Sequence, residues 1–267
     1  MAYLEVEGST RIYFEDHGRG DRALVLIHGW GMNNRVWDGV LIPLLEAGLR
    51  VVTIDHRGCG RSDHDFEDLS IKAIASDVAQ LVSHLGIKEV VLNGWSLGGA
   101  VATQAAHNLG ATCVGLVLTA GASPVYTQKP DLQLGGTAAD VEATVGAIDA
   151  DRINFFAGLA HAICAKPVSE HVTDWMAQSF IDSSARASAT LGELAHLDQR
   201  EMLLALDIPV LSFICQQDGF VASEISQWVA DNHPRAKGVV YAESGHAPFI
   251  EEREPYLQEL QQFVHSI

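Results

Sequence analysis

The chain has 267 residues, 48% of them apolar and 19% charged, which fits one globular unit long enough to bury most of its apolar surface. A formal net charge of −17 repels phosphate backbones and anionic bilayers, so nucleic acid and membrane are both excluded as expected partners. Cys59, Cys113, Cys164 and Cys215 lie far apart with no metal-ligand or CxxC spacing, so no metal site and no disulfide framework is expected.

Three strands open the chain. "AYLEVE" and "RIYFEDHG" alternate as half-exposed antiparallel strands do, and "RALVLIHG" carries a solid apolar run from Ala23 to Ile27, as a buried strand should. The charged, alternating start lacks the basic segment and apolar core of a signal peptide, and no apolar run approaches membrane-spanning length. With the dispersed cysteines, this points to a cytoplasmic protein. "NNRVWDGVLIPLLEAG" reads as a helix with Trp37, Leu41, Leu44 and Leu45 on one face and a kink or break at Pro43. "LRVVTIDHRG" is the next buried strand. "LSIKAIASDVAQLVSHLG" is an amphipathic helix through Ile71, Ile74, Val78, Leu81, Val82 and Leu85, with Gly86 suited to its C-terminal cap. "EVVLNGW", a small-residue helix "LGGAVATQAAHNLG" and the strand "CVGLVLTA" follow. Such alternation marks a mostly parallel sheet covered on both faces, an α/β architecture.

From residue 123 to 205 the strand pattern stops. "DRINFFAGLAHAICA" places Ile153, Phe156, Ala160 and Ile163 on one helical face, and "SEHVTDWMAQSF" places Val172, Trp175, Met176 and Phe180. "ATLGELAHLDQREMLLAL" is also helical. Residues 123–205 therefore read as a helical cap inserted into a core formed by 1–122 and 206–267. Strands return in "IPVLSFIC" and "KGVVYAES", separated by the helix "SEISQWVADN". The chain closes on "PYLQELQQFVHSI", with Tyr256, Leu260, Phe263, Val264 and Ile267 on one face.

The chemistry starts at Gly94, Ser96 and Gly98, a G-x-S-x-G between a strand and a helix. That setting is a nucleophile elbow: the turn is tight, glycines at ±2 avoid backbone clashes, and the helix N-terminus faces the serine. A serine needs a base and the base an orienting group. Asp218 follows the strand "IPVLSFIC" and His246 follows "KGVVYAES", so both fall at strand ends, in the order Ser, Asp, His. Asp207 precedes its strand and would lie at the opposite edge of the sheet. Oxyanion donors are expected at the backbone N–H of Leu97 and of Trp30, in the "HGWG" loop, which His28 should brace by hydrogen bonds. A histidine base works only unprotonated, so turnover should rise with pH. Trp95, Val125, Tyr126, Phe155, Phe156 and Trp175 are candidates for the pocket wall. In "DHRGCGRSD", Gly58 and Gly60 should serve tight turns, Arg57 and Ser62 should tie the loop together, and Cys59 is not expected to be a nucleophile.

"HGWG", "DHRGCGRSD", "GWSLGG", "QQDGFV" and "SGHAPF", in that order over nearly the whole chain, resemble the α/β-hydrolase family. "LTAGASPVYTQKPD" is similar to its branch of small arylesterases and cofactor-free haloperoxidases. The resemblance implies an eight-stranded sheet, a helical cap, no cofactor, and hydrolysis of small or medium acyl and aryl esters through an acyl-enzyme. Some relatives open lactones, including acyl-homoserine lactones, so the implied partner is a small-molecule ester or lactone; self-association into a homo-oligomer stays open. A hydrolase-fold ligand receptor and a lyase such as a hydroxynitrile lyase are the alternatives from other classes. Gly31 stands where many haloperoxidase-like members carry proline, which leaves at most a weak perhydrolase side activity. Ser at 96 disfavours the dehalogenase and epoxide-hydrolase branches, which use Asp there, and Leu97 argues against the dioxygenases, which often carry His.

Overall fold

The computed structural model describes residues 2–267. Eight strands form one sheet: β1 (Ala2–Glu7), β2 (Thr10–His17), β3 (Arg22–Ile27), β4 (Val51–Ile54), β5 (Glu89–Trp95), β6 (Cys113–Thr119), β7 (Val210–Cys215) and β8 (Ala236–Tyr241), in the spatial order β1-β2-β4-β3-β5-β6-β7-β8. β1 pairs antiparallel with β2, and β2 with β4; every pairing from β4 through β3 to β8 is parallel. The alternating burial of β1 and the unbroken burial of β4, of β7 and of β3 from Ala23 onward follow from these places, at an edge and in the middle of a covered sheet.

The helices are α1 (Asp38–Glu46), α2 (Ile71–His84), α3 (Leu97–Leu109), α4 (Ala138–Ala150), α5 (Arg152–Ala162), α6 (Glu170–Ile181), α7 (Ser188–Gly192), α8 (Arg200–Leu204), α9 (Ser223–Asn232), α10 (Pro248–Glu251) and α11 (Arg253–Ser266). No described helix is long and apolar enough to cross a membrane. The helix expected across "NNRVWDGVLIPLLEAG" is a 3₁₀ turn, Asn34–Trp37, running into α1. Pro43 stays inside α1 without ending it. Proline has no N–H for the Gly39 carbonyl, and the Arg253 Nε–H donates to that oxygen instead, at 2.6 Å. At α2, Ser70 caps the first turn through the Ala73 N–H, and Gly86 takes the left-handed conformation after the last (φ +61).

Between β6 and β7 the described residues add no strand to the sheet and fold into α4 to α8. Helix α4 escaped the sequence reading. Its face is weakly amphipathic, but its start carries a capping box in which Thr137 and Asp140 bond each other's backbone N–H. Ile153 is 57% exposed, not buried with Phe156 and Ala160, because it sits in the first turn of α5 on the outer side. The helix expected across 189–206 is broken into α7, a 3₁₀ turn and α8. The break at Gln199 has a cause. Its amide is drawn into the core, donating to Ala100 O (2.9 Å) and accepting from the Ser123 hydroxyl (3.0 Å), which pins the chain between the two pieces.

Candidate active site

The strand order reverses at β3, which has β4 on one side and β5 on the other, and the carboxyl ends of β3 and β5 flank this switch point. Crevices at such points are where open α/β sheets place their ligands. Ile27 and Gly94 are register partners, so the chain leaves both strands at the same height. One exit is the Gly29–Trp30 loop and the other is Ser96.

Ser96 joins β5 to α3 with φ +57 and ψ −126, a conformation that costs a non-glycine residue about 1–3 kcal/mol. Its neighbours explain how the turn closes. A Cβ on Gly98 would stand 2.5 Å from both the Ile27 and His28 carbonyl oxygens, and one on Gly94 would collide with the Gly98 backbone. The turn is held by the Ser96 carbonyl, which accepts the Gly99 and Ala122 N–H groups at 2.8 Å. Leu97 opens α3, so its N–H has no acceptor within the helix.

Asp218 lies in the turn after β7 and His246 in the turn after β8. His246 Nδ1 and Asp218 Oδ2 are 2.8 Å apart, and both side chains are nearly free of solvent. The second carboxylate oxygen accepts the Phe220 N–H (2.8 Å) and the Val221 N–H (3.1 Å). With the carboxylate as acceptor, the imidazole proton sits on Nδ1 and the Nε2 lone pair is left free. Ser96 and His246 line one cavity of about 320 Å³. No hydrogen bond joins Ser96 Oγ to the imidazole, and catalytic hydrogen bonds of this kind often tighten only around a substrate. An adjoining chamber of about 300 Å³, reaching Thr137 and Asp140, shares Tyr126, Thr144, Leu191, Gly219 and Phe220 with the first.

A family model described as the alpha/beta hydrolase fold matches residues 22–253. The chain belongs to that family. Among its curated relatives, a pimeloyl-(acyl-carrier protein) methyl ester esterase of Sodalis glossinidius (strain morsitans) is 32% identical over 263 residues, which cover 94% of this chain and 97% of the relative. Among solved structures, the esterase EaEST from Exiguobacterium antarcticum superposes with a TM-score of 0.93 at 28% identity, covering 98% of both chains. A bromoperoxidase from Bacillus anthracis gives the same TM-score at 24% identity over 99% of both chains, a likeness of fold.

In this alpha/beta hydrolase, Trp95, Tyr126 and Phe155 line the cavity, as do Trp30 and Leu97 beside Ser96. Val125, Phe156 and Trp175 do not. Val125 is buried in the core, and Phe156 is fully buried behind the wall, stacked on Phe180 and tilted against Trp30. Trp175 packs on the core from α6, away from the cavity. Thr144, Leu159, Ile163, Phe180 and Phe220 were not anticipated as wall residues. Periodicity gave a signal for Ile163 and Phe180, as buried-face residues of cap helices, but not for which chamber they close. Asp207 is exposed and bonded to Arg235, with no contact to the imidazole.

Gly31 has φ +67, which proline, locked near −65°, cannot adopt, so the loop after Trp30 takes a path closed to the H-G-W-P form. The Trp30 indole N–H is tied to Ala187 O at 2.7 Å. In "DHRGCGRSD", Arg57 forms a buried pair with Asp77 (2.5 and 2.8 Å), and Ser62 donates to Asp55 O while accepting the Tyr13 N–H. Burial pushes the Cys59 thiol up to about 12, which suits packing and not thiolate chemistry.

His28 is wholly buried beneath the loop. Its Nε2 accepts the His56 N–H (2.9 Å), so Nδ1 carries the proton and donates to Gly29 O (2.7 Å), and the His56 ring stacks on it at 3.7 Å. Both rings are neutral. Burial pushes His28 down to about 4, and burial together with the neighbouring His28 holds His56 well below the usual imidazole range. In the unfolded chain both return to about 6.5. Lowered folded values mean that the unfolded state binds more protons, so this stability is complete above about 6.5 and is lost as pH falls toward 4. Asp55 works the other way: desolvation, against the Arg61 and Asn34 N–H bonds, lifts it to about 6, so its contribution is lost as pH rises through 6. Two histidines outweigh one carboxyl, so this cluster loses stability as pH falls from about 6 toward 4. Urea midpoints measured across this range should fall accordingly, and His28→Gln should flatten the slope.

Proposed function

We propose that this protein is a serine carboxylic ester hydrolase with Ser96, Asp218 and His246 as its triad. The observation that carries the reading is the single cavity shared by a strained Ser96 and a His246 whose Nδ1 is held by Asp218. Ser96 Oγ attacks the ester carbonyl and passes its proton to His246 Nε2. The oxyanion rests on the N–H groups of Trp30 and Leu97, neither of which has an internal acceptor among the described residues. His246 returns the proton to the leaving alcohol, then takes one from water as that water attacks the acyl-enzyme. Residues 123–205 act as the cap, supplying Tyr126, Thr144, Phe155 and Phe180 to the wall.

The substrate class follows from the lining. The inner chamber is mainly aromatic and aliphatic, and its volume suits a small or medium acyl group. Neither chamber is lined by a lysine or arginine, and the outer one carries Asp140. This supports neutral esters over anionic ones. It also weighs against the carrier-protein ester in the name of the 32% identical relative: neither chamber offers a cation to an anionic substrate, and the chain carries a net charge of −17. Steady-state kinetics on methyl hexanoate and on monomethyl pimelate, a methyl ester ending in a carboxylate, test this. The neutral ester should turn over repeatedly with kcat/KM at least about tenfold higher, the ratio narrowing as salt screens the charge. Equal rates on both would overturn the charge argument, and absence of multiple turnover on any ester would overturn the enzymatic reading.

A further inference from the structure

Beneath the imidazole lies a carboxylate that the proposed mechanism does not use. Glu251, the last residue of α10, aims its side chain back at the loop carrying His246. Its Oε1 accepts the N–H groups of Ala165 (2.7 Å), Lys166 (2.9 Å) and Gly245 (3.0 Å), and its Oε2 accepts the Ala247 N–H at 3.2 Å. Two of these donors flank His246 directly; the other two belong to the loop between α5 and α6.

His246's own backbone is held by the same surroundings. Its N–H donates to Ile163 O at 2.8 Å, and its carbonyl accepts the Trp95 indole N–H at 2.7 Å. The α5–α6 loop presses close: a Cβ on Gly245 would stand 2.6 Å from Ala165 N and 2.9 Å from Ile163 O. The N–H groups of residues 245, 246 and 247 and the His246 carbonyl are therefore fixed by Glu251, the α5–α6 loop or the tryptophan next to Ser96.

We propose that Glu251 is a positioning residue that sets the place of the His246 imidazole and links it to the α5–α6 loop. The inference rests on the reading of His246 as the base. One carboxylate gathers four N–H donors from two loops that no secondary structure joins, and charge-assisted bonds of this kind are about twice as strong as neutral ones. Without it the donors of both loops turn to water and the imidazole drifts; a displacement near 1 Å costs about 10²-fold in rate. Most of the chamber wall lies outside these two loops, Ile163 and His246 excepted, so substrate binding changes less than turnover.

Glu251→Ala should therefore lower kcat about 10²-fold, counted per folded molecule, with KM within about threefold of wild type. Glu251→Gln keeps an oxygen for three donors but turns an amide N–H toward Ala247, and should fall between the two. The low-field proton resonance of His246 Nδ1–H, held by Asp218, should broaden or move upfield in Glu251→Ala. Glu243→Gln, which removes only a surface partner of the Lys166 ammonium at 3.0 Å, should match wild type in both readouts. An unchanged resonance with kcat within threefold of wild type in Glu251→Ala overturns the proposal. If Glu251→Ala does not fold, the same two outcomes are read on Glu251→Gln. The resonance is measured on unreacted protein, so the clamp is tested even if ester turnover is absent and the functional reading has failed.

Discussion

Replacing Ser96 by alanine should lower kcat on a neutral ester by about 10⁴- to 10⁶-fold while leaving the fold intact. Alanine removes the attacking oxygen but not the φ of +57 that the strand-to-helix turn imposes. Glycine removes the oxygen and adopts that φ without strain. Ser96→Gly should be equally inactive yet more stable than Ser96→Ala by about 1 kcal/mol, the relief of backbone strain set against the larger chain entropy of glycine. Urea denaturation of the two variants, read beside their rates, separates the chemical role of position 96 from its conformational cost. Comparable stabilities would mean that the turn is not strained in solution.

The second large effect is expected at Asp218. Its Oδ1 accepts two backbone N–H groups, from Phe220 and Val221, so in Asp218→Asn the amide oxygen stays there and the amide nitrogen faces His246 Nδ1. That nitrogen donates, so Nδ1 must accept, and the imidazole proton moves to Nε2. The ring then offers Ser96 a donor where it needs an acceptor. The expected loss is about 10⁴-fold in kcat with little change in KM, because the walls of the cavity are untouched. A loss below tenfold would show that the tautomer is set by something other than this carboxylate.

Parts of this arrangement are legible in the chain because they depend on short-range signals. The apolar runs mark β3, β5, β6 and β7. The glycines at 94 and 98 can be read from spacing alone, since they are needed wherever a strand turns sharply into a helix against a neighbouring strand end. Asp218 and His246 sit at strand ends, and parallel strands bring such ends together at one edge of a sheet; the structure sets the two side chains 2.8 Å apart. The wall of the cavity is different. Whether Phe155 or Phe156 faces the chamber depends on how five short helices pack, and a helical face that looks buried can be buried against the core, as Trp175 is, or left in water, as Ile153 is. Helix α4 has too little amphipathic contrast to be seen by periodicity, though the pairing of Thr137 with Asp140 marks its start. Glu251 is invisible in the sequence for a similar reason. Its four donors come from residues 165, 166, 245 and 247, and nothing in the spacing of two distant loops announces that one carboxylate will join them.

The most direct test is to trap the covalent intermediate. The protein is incubated with an alkyl fluorophosphonate, digested, and the modified peptide sequenced by mass spectrometry. One adduct per chain on Ser96, absent from Ser96→Ala and formed far more slowly in Asp218→Asn, is the result expected of a nucleophile activated through His246. Modification at another residue, or ester turnover that survives complete labelling of Ser96, would contradict the account.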